Sequence, residues 1–406
     1  MSEVGRMEFF ADRMSRFEPT ASSVATAKAR ELVDRGRDVI LLTQGEPDFP
    51  TPEHVKLAAI NALENNKTYY TPTGGTAEMK EAISFKFKRD NNLAYNQDQI
   101  IAGNGGKQII FSAMVTTIEE GDEAIIAAPY WVAYPDIVKF VGGIPKIIRC
   151  KEINKFKIQP DELEAAITPR TKWLFLNSPG NPSGNVYSES ELAGLGEVLL
   201  RHPQVRVLSD DIYEHIIFDG INFHTLASIV PDLYDRVLTV NGVSKAYSMT
   251  GWRLGYAGGP KDLIKQMTKL QNQNTGNPCS ISQAAAVAAL TGPQNYLKER
   301  ALEFQTRRDF VVNKINDIGG LRCFAPDGAF YVFINCSGLI GRRQPTGKMT
   351  STDKDVVLYL LENVGVAGVH GEAYGLSPYI RLSTAASIEN LTEACNRIRS
   401  ASQSLF

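Results

Sequence analysis

Short apolar runs alternate with longer amphipathic segments over most of the chain. The apolar runs predict strands at residues 99–102, 123–127, 171–176, 205–208 and 237–240. Helical periodicity predicts helices at residues 52–65, 76–91, 106–118, 188–202 and 281–291. Glycine or proline marks most of the connections, as expected between strands and helices. The pattern therefore predicts an α/β fold of three layers, α/β/α, with a mostly parallel sheet.

A second and smaller set of elements lies at the two ends of the chain. Residues 25–35 predict a helix, which the apolar run 39–42 follows. Beyond Pro293 the pattern predicts helices at 296–318 and 388–400, strands at 329–333 and 379–383, and a mobile glycine-rich loop at 338–354. A chain of 406 residues is too long for one core. We predict a large domain at 51–295 and a smaller α/β domain formed by 1–50 and 296–406.

Composition and charge narrow the classes of function. The chain has 43 basic and 45 acidic residues, a net charge of -2, which argues against nucleic-acid and membrane-surface partners. It has neither the apolar stretch of a signal peptide nor a run of about 18 apolar residues. The five cysteines are scattered and lack Cys-x-x-Cys spacing, which predicts reduced thiols in a cytoplasmic protein. The five histidines lack metal-ligand spacing, so we expect no metal site.

Candidate binding groups lie in the loops that follow successive predicted strands, where ligands of open α/β sheets bind. Gly105 and Gly106 stand at a helix start, which can bind an anion through backbone N–H groups. This segment matches neither the P-loop nor the dinucleotide fingerprint, and a tight turn is the alternative. Trp131 follows the next predicted strand and can stack on a flat ring or pack in the core.

The next two loops carry hydrogen-bonding groups. The turn at 177–184 contains Asn181, which can donate a hydrogen bond to a ring oxygen or be purely structural. Asp210 ends a predicted buried strand, where a carboxylate needs a cation such as a protonated pyridine nitrogen. The alternative for Asp210 is the N-cap of a following helical turn. Tyr213, three residues later, can donate to a phenolic oxygen.

Residues 241–256 carry the most specific signal. Lys245 lies among small residues, including Ser244, so an aldehyde on a planar ligand could reach its amine and form a Schiff base. Arg253, eight residues later, offers a cationic fork for a phosphate. A solvated loop with an ordinary lysine is the alternative for this segment alone. Together, the loops in this order indicate a site for a phosphorylated aromatic aldehyde.

Three segments resemble the signature segments of class I aminotransferases, which are fold-type I pyridoxal-phosphate enzymes. They are residues 181–184 (Asn-Pro-Ser-Gly), 209–213 (Ser-Asp-Asp-Ile-Tyr) and 244–253 (Ser-Lys-Ala-Tyr-Ser-Met-Thr-Gly-Trp-Arg). The similarity extends from about residue 14 to 398 and is closest to the bacterial aspartate aminotransferase subgroup. The resemblance implies pyridoxal 5'-phosphate as cofactor, a homodimer, and transamination between aspartate and 2-oxoglutarate. Prephenate, aromatic or neutral amino-acid substrates, and a lyase or racemase on the same fold, stay as alternatives.

The resemblance also implies a role for each candidate residue. Lys245 would bind the cofactor covalently, and Asp210 would pair with its ring nitrogen. The other cofactor contacts would come from Tyr213 and Asn181 at the ring oxygen, Trp131 by stacking, Gly105, Gly106 and Arg253 at the phosphate, Tyr70 from the neighbouring subunit, and Ser244 beside Lys245. Arg381, with Gly45 beside it, would bind the substrate α-carboxylate, and Trp131 and Asn181 would border the substrate. Lys107 would contact either the distal carboxylate or the phosphate.

Two segments depart from the subgroup and leave the substrate open. Glu18 stands where relatives often have lysine, and an acid there disfavours an extra substrate carboxylate. Residues 272–278 also differ and are expected to face the partner's pocket.

Overall fold

The computed structural model describes residues 9–406. Its strands in chain order are β1 (Ile40–Leu41), β2 (Ile100–Gly103), β3 (Glu123–Ala128), β4 (Ile144–Arg149), β5 (Thr171–Asn177), β6 (Arg206–Asp210), β7 (Val237–Gly242), β8 (Gly255–Gly258), β9 (Tyr331–Asn335), β10 (Val366–Ala367), β11 (Val369–His370) and β12 (Tyr379–Ser383).

The α-helices are α1 (Ala21–Asp34), α2 (Glu53–Glu64), α3 (Ala77–Asn91), α4 (Gly106–Thr117), α5 (Ala133–Phe140), α6 (Pro160–Ala166), α7 (Glu189–Arg201), α8 (Leu226–Ile229), α9 (Lys261–Asn274), α10 (Ser280–Thr291), α11 (Asn295–Asn316), α12 (Asp353–Val364) and α13 (Ile388–Gln403). Short 3-10 helices connect some of them, including one at Gly371–Tyr374. None of the helices in residues 9–406 is long and apolar enough to cross a membrane.

Seven strands form the large sheet in the order β2-β8-β7-β6-β5-β3-β4. Every pairing is parallel except those of β8, which runs antiparallel to both β2 and β7. Apolar residues on the two faces of this sheet belong to separate clusters that also contain helix residues. The predicted α/β fold with a mostly parallel sheet is therefore confirmed.

A second hydrophobic core joins the two ends of the chain. It contains Ile40 and Leu42 together with residues of α11, α12 and α13. β1 pairs with β10, and β9, β11 and β12 form an antiparallel sheet of three strands. This arrangement supports the division at residues 50 and 295, which stays a prediction.

The structure corrects several element boundaries and adds elements that the pattern did not indicate. α1 begins at Ala21 rather than residue 25, and α12 begins at Asp353, inside the predicted loop. In that segment Thr350 is buried and donates to the carbonyl oxygen of Leu339, so this part of the segment is packed rather than free. The additional elements of the large sheet and its helices are β4, β8, α5, α6, α8 and α9. β8 (Gly255–Gly258) is half glycine and β4 is a partly exposed edge strand, so neither shows a strong apolar run.

Candidate active site

The ends of five strands meet at one edge of the large sheet. Because β8 is antiparallel to both β2 and β7, the carboxyl end of β2 points the same way as those of β3, β5, β6 and β7. A cavity of about 600 Å³ opens at this edge. Its lining includes the predicted residues Gly45, Gly106, Lys107, Trp131, Asn181, Asp210, Tyr213, Ser244, Lys245, Arg253 and Arg381.

Two predicted residues do not line this cavity. Gly105 lies directly beside it, at the N-cap of α4. Tyr70 is 98% exposed, so this chain by itself does not bring Tyr70 to the site.

The start of α4 and Arg253 form a cationic cup. Gly105 has φ +89°, and a side chain there would collide with the Arg253 guanidinium. Arg253 itself has φ +51° and donates to the carbonyl oxygen of Thr250 at 2.9 Å, which fixes its fork. The first N–H groups of a helix have no intrahelical acceptor and carry partial positive charge. This cup therefore suits a phosphate.

Asp210 is a buried carboxylate at the end of β6. Tyr134 donates to its Oδ2 at 2.6 Å, and the backbone N–H of Ile212 is 3.4 Å from its Oδ1. Burial raises the pKa of Asp210 to about 6, against the opposing effects of Tyr134 and Lys245. A cationic ring nitrogen beside this carboxylate would favour its ionised form. The hydrogen bond to Ile212 is long, so the N-cap alternative accounts for little of the geometry.

Tyr213 shares a hydrogen bond with a second tyrosine. Its hydroxyl lies 2.8 Å from that of Tyr331, which also lines the cavity. A side chain at Gly45 would collide with the Tyr331 hydroxyl, so glycine is required where the chain passes this pair. Burial raises the pKa of Tyr213 well above its ordinary value. Both hydroxyls stay protonated, and the one that accepts the hydrogen bond within the pair is free to donate to a ligand oxygen.

Lys245 extends from the loop after β7 into the cavity. Its Nζ donates to the carbonyl oxygen of Gly45 at 2.6 Å and lies 6.0 Å from the centre of the Tyr213 ring. Burial, and after it the charge of Arg253, lowers the pKa of Lys245 to about 8. A substantial fraction of this amine is therefore neutral near pH 8, as a nucleophilic or basic amine must be.

Arg381 is buried on β12 and reaches across to the large domain. It donates to the carbonyl oxygen of Thr43 and to Oδ1 of Asn181, and its guanidinium carbon lies 4.6 Å from the Tyr331 ring centre. Its Nε is buried and has no hydrogen-bond partner among the described residues. This arginine is held rigidly at the cavity wall, as the recognition of a carboxylate requires.

Lys107 and Trp131 lie together. The Lys107 Nζ is 5.1 Å from the centre of the Trp131 ring, and both side chains line the cavity. Burial, and after it Arg253, lowers the pKa of Lys107. The Lys107 amine therefore lies near both the phosphate cup and the open cavity, and both of its predicted roles stay possible.

These groups fit pyridoxal 5'-phosphate. The cup at α4 and Arg253 matches its phosphate, and the amine of Lys245 matches its aldehyde. Asp210 is buried and forms no ion pair with a lysine or arginine of residues 9–406. A cationic ring nitrogen can therefore be its ion-pair partner.

Known proteins match this chain over nearly its whole length. The sequence profile of the family Aminotransferase class I and II matches residues 37–398. An aspartate/prephenate aminotransferase from Cereibacter sphaeroides is 52% identical over 97% of this chain and 98% of its own. The crystal structure of the aspartate aminotransferase from Rhizobium meliloti superposes with a TM-score of 0.96 at 52% identity, covering 98% of this chain and 99% of that one. An aspartate aminotransferase from Thermus thermophilus, solved with maleate, gives 0.90 at 38% identity, covering 97% and 99%.

The chain belongs to the class I and II aminotransferases. It is an enzyme, and its cofactor is pyridoxal 5'-phosphate. Its substrates are amino acids and 2-oxo acids. The membership favours transamination over a lyase or racemase activity.

A buried polar network supports the aminotransferase loop that carries Asp210 and Tyr213. Lys86, which is 0% exposed, forms an ion pair with Glu214, the residue after Tyr213. Asn91 donates to Oε2 of Glu214 at 2.6 Å, and Asn241 donates to Oε1 at 2.8 Å. Burial alone would raise the pKa of Glu214, but the charge of Lys86 lowers it. The network thereby links α3, the loop after β6 and the end of β7.

Sequence reasoning missed three residues that hold the predicted ones. They are Tyr134, which donates to Asp210, Tyr331, which meets Tyr213, and Thr43, whose carbonyl oxygen accepts from Arg381. Tyr134 lies one helical turn after Trp131, and this spacing was the one available signal. The other two come from distant segments, and no local pattern indicates them.

We expect Lys86→Met to lower the free energy of unfolding by about 3–5 kcal/mol, because Glu214 then keeps a buried charge without a cation. The double variant Lys86→Met/Glu214→Gln should recover part of that loss, since no charge remains to be buried. Urea denaturation at pH 8 measures both, and this pH limits compensation by a protonated histidine. Equal losses in the two variants would contradict the assignment.

We expect the amine of Lys245 in the cofactor-free enzyme to titrate near pH 8. Reductive methylation across a pH series, read by peptide mass spectrometry, should give that midpoint, which is well below the value of about 10.4 for a lysine side chain in a model peptide. Arg253→Gln should move the Lys245 midpoint upward, because the positive charge of Arg253 lowers its pKa. A Lys245 midpoint near about 10.4, the value for a model peptide, would show that burial does not lower the pKa of this amine.

Proposed function

We propose that this aminotransferase transfers the amino group of L-aspartate to 2-oxoglutarate, giving oxaloacetate and glutamate. The observation that carries the proposal is that Arg381 and Lys107 open into one cavity. Aspartate and 2-oxoglutarate both carry two carboxylates, which two separate cations can bind. Aspartate is also common to the names of the relatives from Cereibacter and Rhizobium.

The charge of the cavity supports a dianionic cofactor and a dicarboxylic substrate. Five cationic side chains line it, against two carboxylates. The cations are Arg30, Lys107, Lys245, Arg253 and Arg381, and the carboxylates are Glu46 and Asp210. Because the cavity concentrates positive charge, it attracts anions over neutral amino acids.

Each residue has a task in the proposed reaction. When bound, pyridoxal 5'-phosphate supplies an aldehyde for amines and an electron-withdrawing ring. Asp210 holds the proton on the ring nitrogen by pairing with it. Lys245, whose amine is partly neutral near pH 8, would take the proton from the substrate Cα as general base and deliver it to the former aldehyde carbon as general acid. Tyr213 donates to the ring oxygen, and Arg381 fixes the α-carboxylate so that the Cα lies near the Lys245 amine.

We also propose a homodimer in which Tyr70 reaches the phosphate of the neighbouring subunit. Tyr70 and Tyr69 are exposed in this chain, and α2 nearby exposes Leu57, Ile60 and Leu63 along one face. These apolar side chains stand three residues apart, so they form a stripe that a second copy can cover.

We place the enzyme in the cytoplasm. Its five cysteines are free thiols, four of them buried, which suits a reducing compartment.

An amino-donor panel with 2-oxoglutarate tests the substrate proposal. We expect aspartate to have a higher kcat/KM than the comparison donors phenylalanine and alanine. A separate assay uses prephenate as the acceptor, with glutamate or aspartate as the donor. A higher kcat/KM for an aromatic or neutral donor would overturn the assignment to aspartate.

Lys107→Met separates the two roles of that lysine. If Lys107 binds the distal carboxylate, KM for aspartate should rise by about 10–100-fold while that for phenylalanine stays unchanged, because one charged hydrogen bond is lost. If it binds the phosphate instead, cofactor affinity should fall and the preference among donors should not change. The exposed Lys348→Met is the matched control.

Mixed dimers test the role of Tyr70. Lys245→Ala should lower kcat by at least about 10²–10⁴-fold, since the general base is lost, and Tyr70→Ala should weaken cofactor binding. Unfolding and refolding the two variants together should restore about a quarter of the wild-type activity, because half of the dimers carry one intact site. No gain on mixing would mean that Tyr70 and Lys245 act within one subunit.

A further inference from the structure

Two groups of histidine and carboxylate side chains within residues 9–406 have the spacing of metal ligands. One consists of Asp90, Glu214 and His215 and the other of Asp353, His370 and Glu372. In the first group Glu214 is already paired with Lys86 and accepts from two asparagines. None of the three residues of the second group lines the active-site cavity.

Asp353 is the buried member of the second group. It begins α12 and is 0% exposed. Its Oδ2 accepts from the backbone N–H groups of Glu372 and Tyr379, each at 3.2 Å, and the start of the helix adds a favourable dipole. Its Oδ1 is equally buried and has no hydrogen-bond partner among the described residues. A buried carboxylate oxygen in this state requires a positive partner.

The side chains grouped with Asp353 are possible metal ligands rather than cationic partners. One donor atom each of Asp353, His370 and Glu372 lies within 4.8 Å of the others, and the Nδ1 of His370 is also buried without a partner. Neither carboxylate forms an ion pair with a lysine or arginine in residues 9–406, and the adjacent Lys354 is exposed. Two carboxylates and an imidazole therefore converge on one place with no protein cation between them.

We propose that Asp353, His370 and Glu372 bind a divalent transition-metal cation of the Zn²⁺ type. Imidazole combined with carboxylates suits such ions, and water can complete the coordination. Donors bound to Zn²⁺ at about 2.1 Å stand about 3.4 Å apart in tetrahedral geometry, so the donor atoms, now within 4.8 Å of one another, need to approach by at most about 1.4 Å. The exposed Glu372 and half-buried His370 leave a path for the ion from solvent.

The metal would fasten α12 to the segment that supports the substrate arginine. His370 ends β11 and Glu372 lies in the short 3-10 helix Gly371–Tyr374. Tyr374, the last residue of that helix, has its ring centre 5.2 Å from the guanidinium carbon of Arg381. This site goes beyond the proposed transamination, which requires no metal.

Calorimetric titration of the cofactor-loaded enzyme with Zn²⁺, after dialysis against a chelator, tests the proposal. We expect one Zn²⁺ per chain, a raised melting temperature, and much weaker binding of Mg²⁺, which prefers oxygen ligands. His370→Gln and Glu372→Gln should each weaken Zn²⁺ binding at least about tenfold. His224→Gln, a histidine outside the group, is the matched control and should bind as the wild type does. Unchanged melting of the variants without Zn²⁺ shows that they fold.

A crystal soaked in Zn²⁺ gives the location directly, because its anomalous peak should lie among the three side chains. No stoichiometric binding, a peak elsewhere, or wild-type affinity in both His370→Gln and Glu372→Gln overturns the proposal. Aminotransferase activity measured alongside is a separate readout, so failure of the metal site leaves the proposed function standing.

Discussion

The burial of Asp210 at the end of β6 is the constraint around which the site is arranged. A carboxylate in this position is unfavourable without a cation, and burial raises its pKa to about 6. The protein supplies only partial compensation through Tyr134 and the charge of Lys245. A cationic ring nitrogen would offset the rest of the desolvation penalty of Asp210. The pairing would strengthen cofactor binding and keep the ring electron-withdrawing.

The large sheet places Asp210 next to the other residues of the site. Asn177, Asp210 and Val240 lie side by side on adjacent strands, and the loops after these strands carry Asn181, Tyr213 and Lys245. The ion pair of Lys86 with Glu214 anchors the loop that carries Tyr213 to α3. Buried polar networks of this kind stabilise only when every member is satisfied, and they then impose a single geometry.

β12 contributes Arg381, the residue that we propose binds the substrate carboxylate, to the wall of the cavity. Arg381 on β12 is held by the carbonyl oxygen of Thr43, by Asn181 and by the rings of Tyr331 and Tyr374. These contacts come from both ends of the chain and from the large domain. In the proposed function, carboxylate binding at Arg381 therefore depends on how β12 packs against the large sheet, whereas the residues proposed for the cofactor lie mainly after the strands of that sheet.

The sequence by itself determined the α/β class, the positions of the main strands along the chain and most of the residues that line the cavity. Apolar periodicity and the residue types of a loop are local properties, so they can be recognised without the tertiary structure. It also indicated the amine of Lys245 and the carboxylate of Asp210 through their positions after strands. Only the tertiary structure decided which groups hold them, since Tyr134, Tyr331 and Thr43 come from separate segments. It likewise revealed β8, whose glycines give no apolar signal, and the convergence of Asp353 with His370. These contacts join residues that are far apart in the sequence, and they form only when the strands and helices pack together. The spacing of residues along the chain therefore does not reveal them.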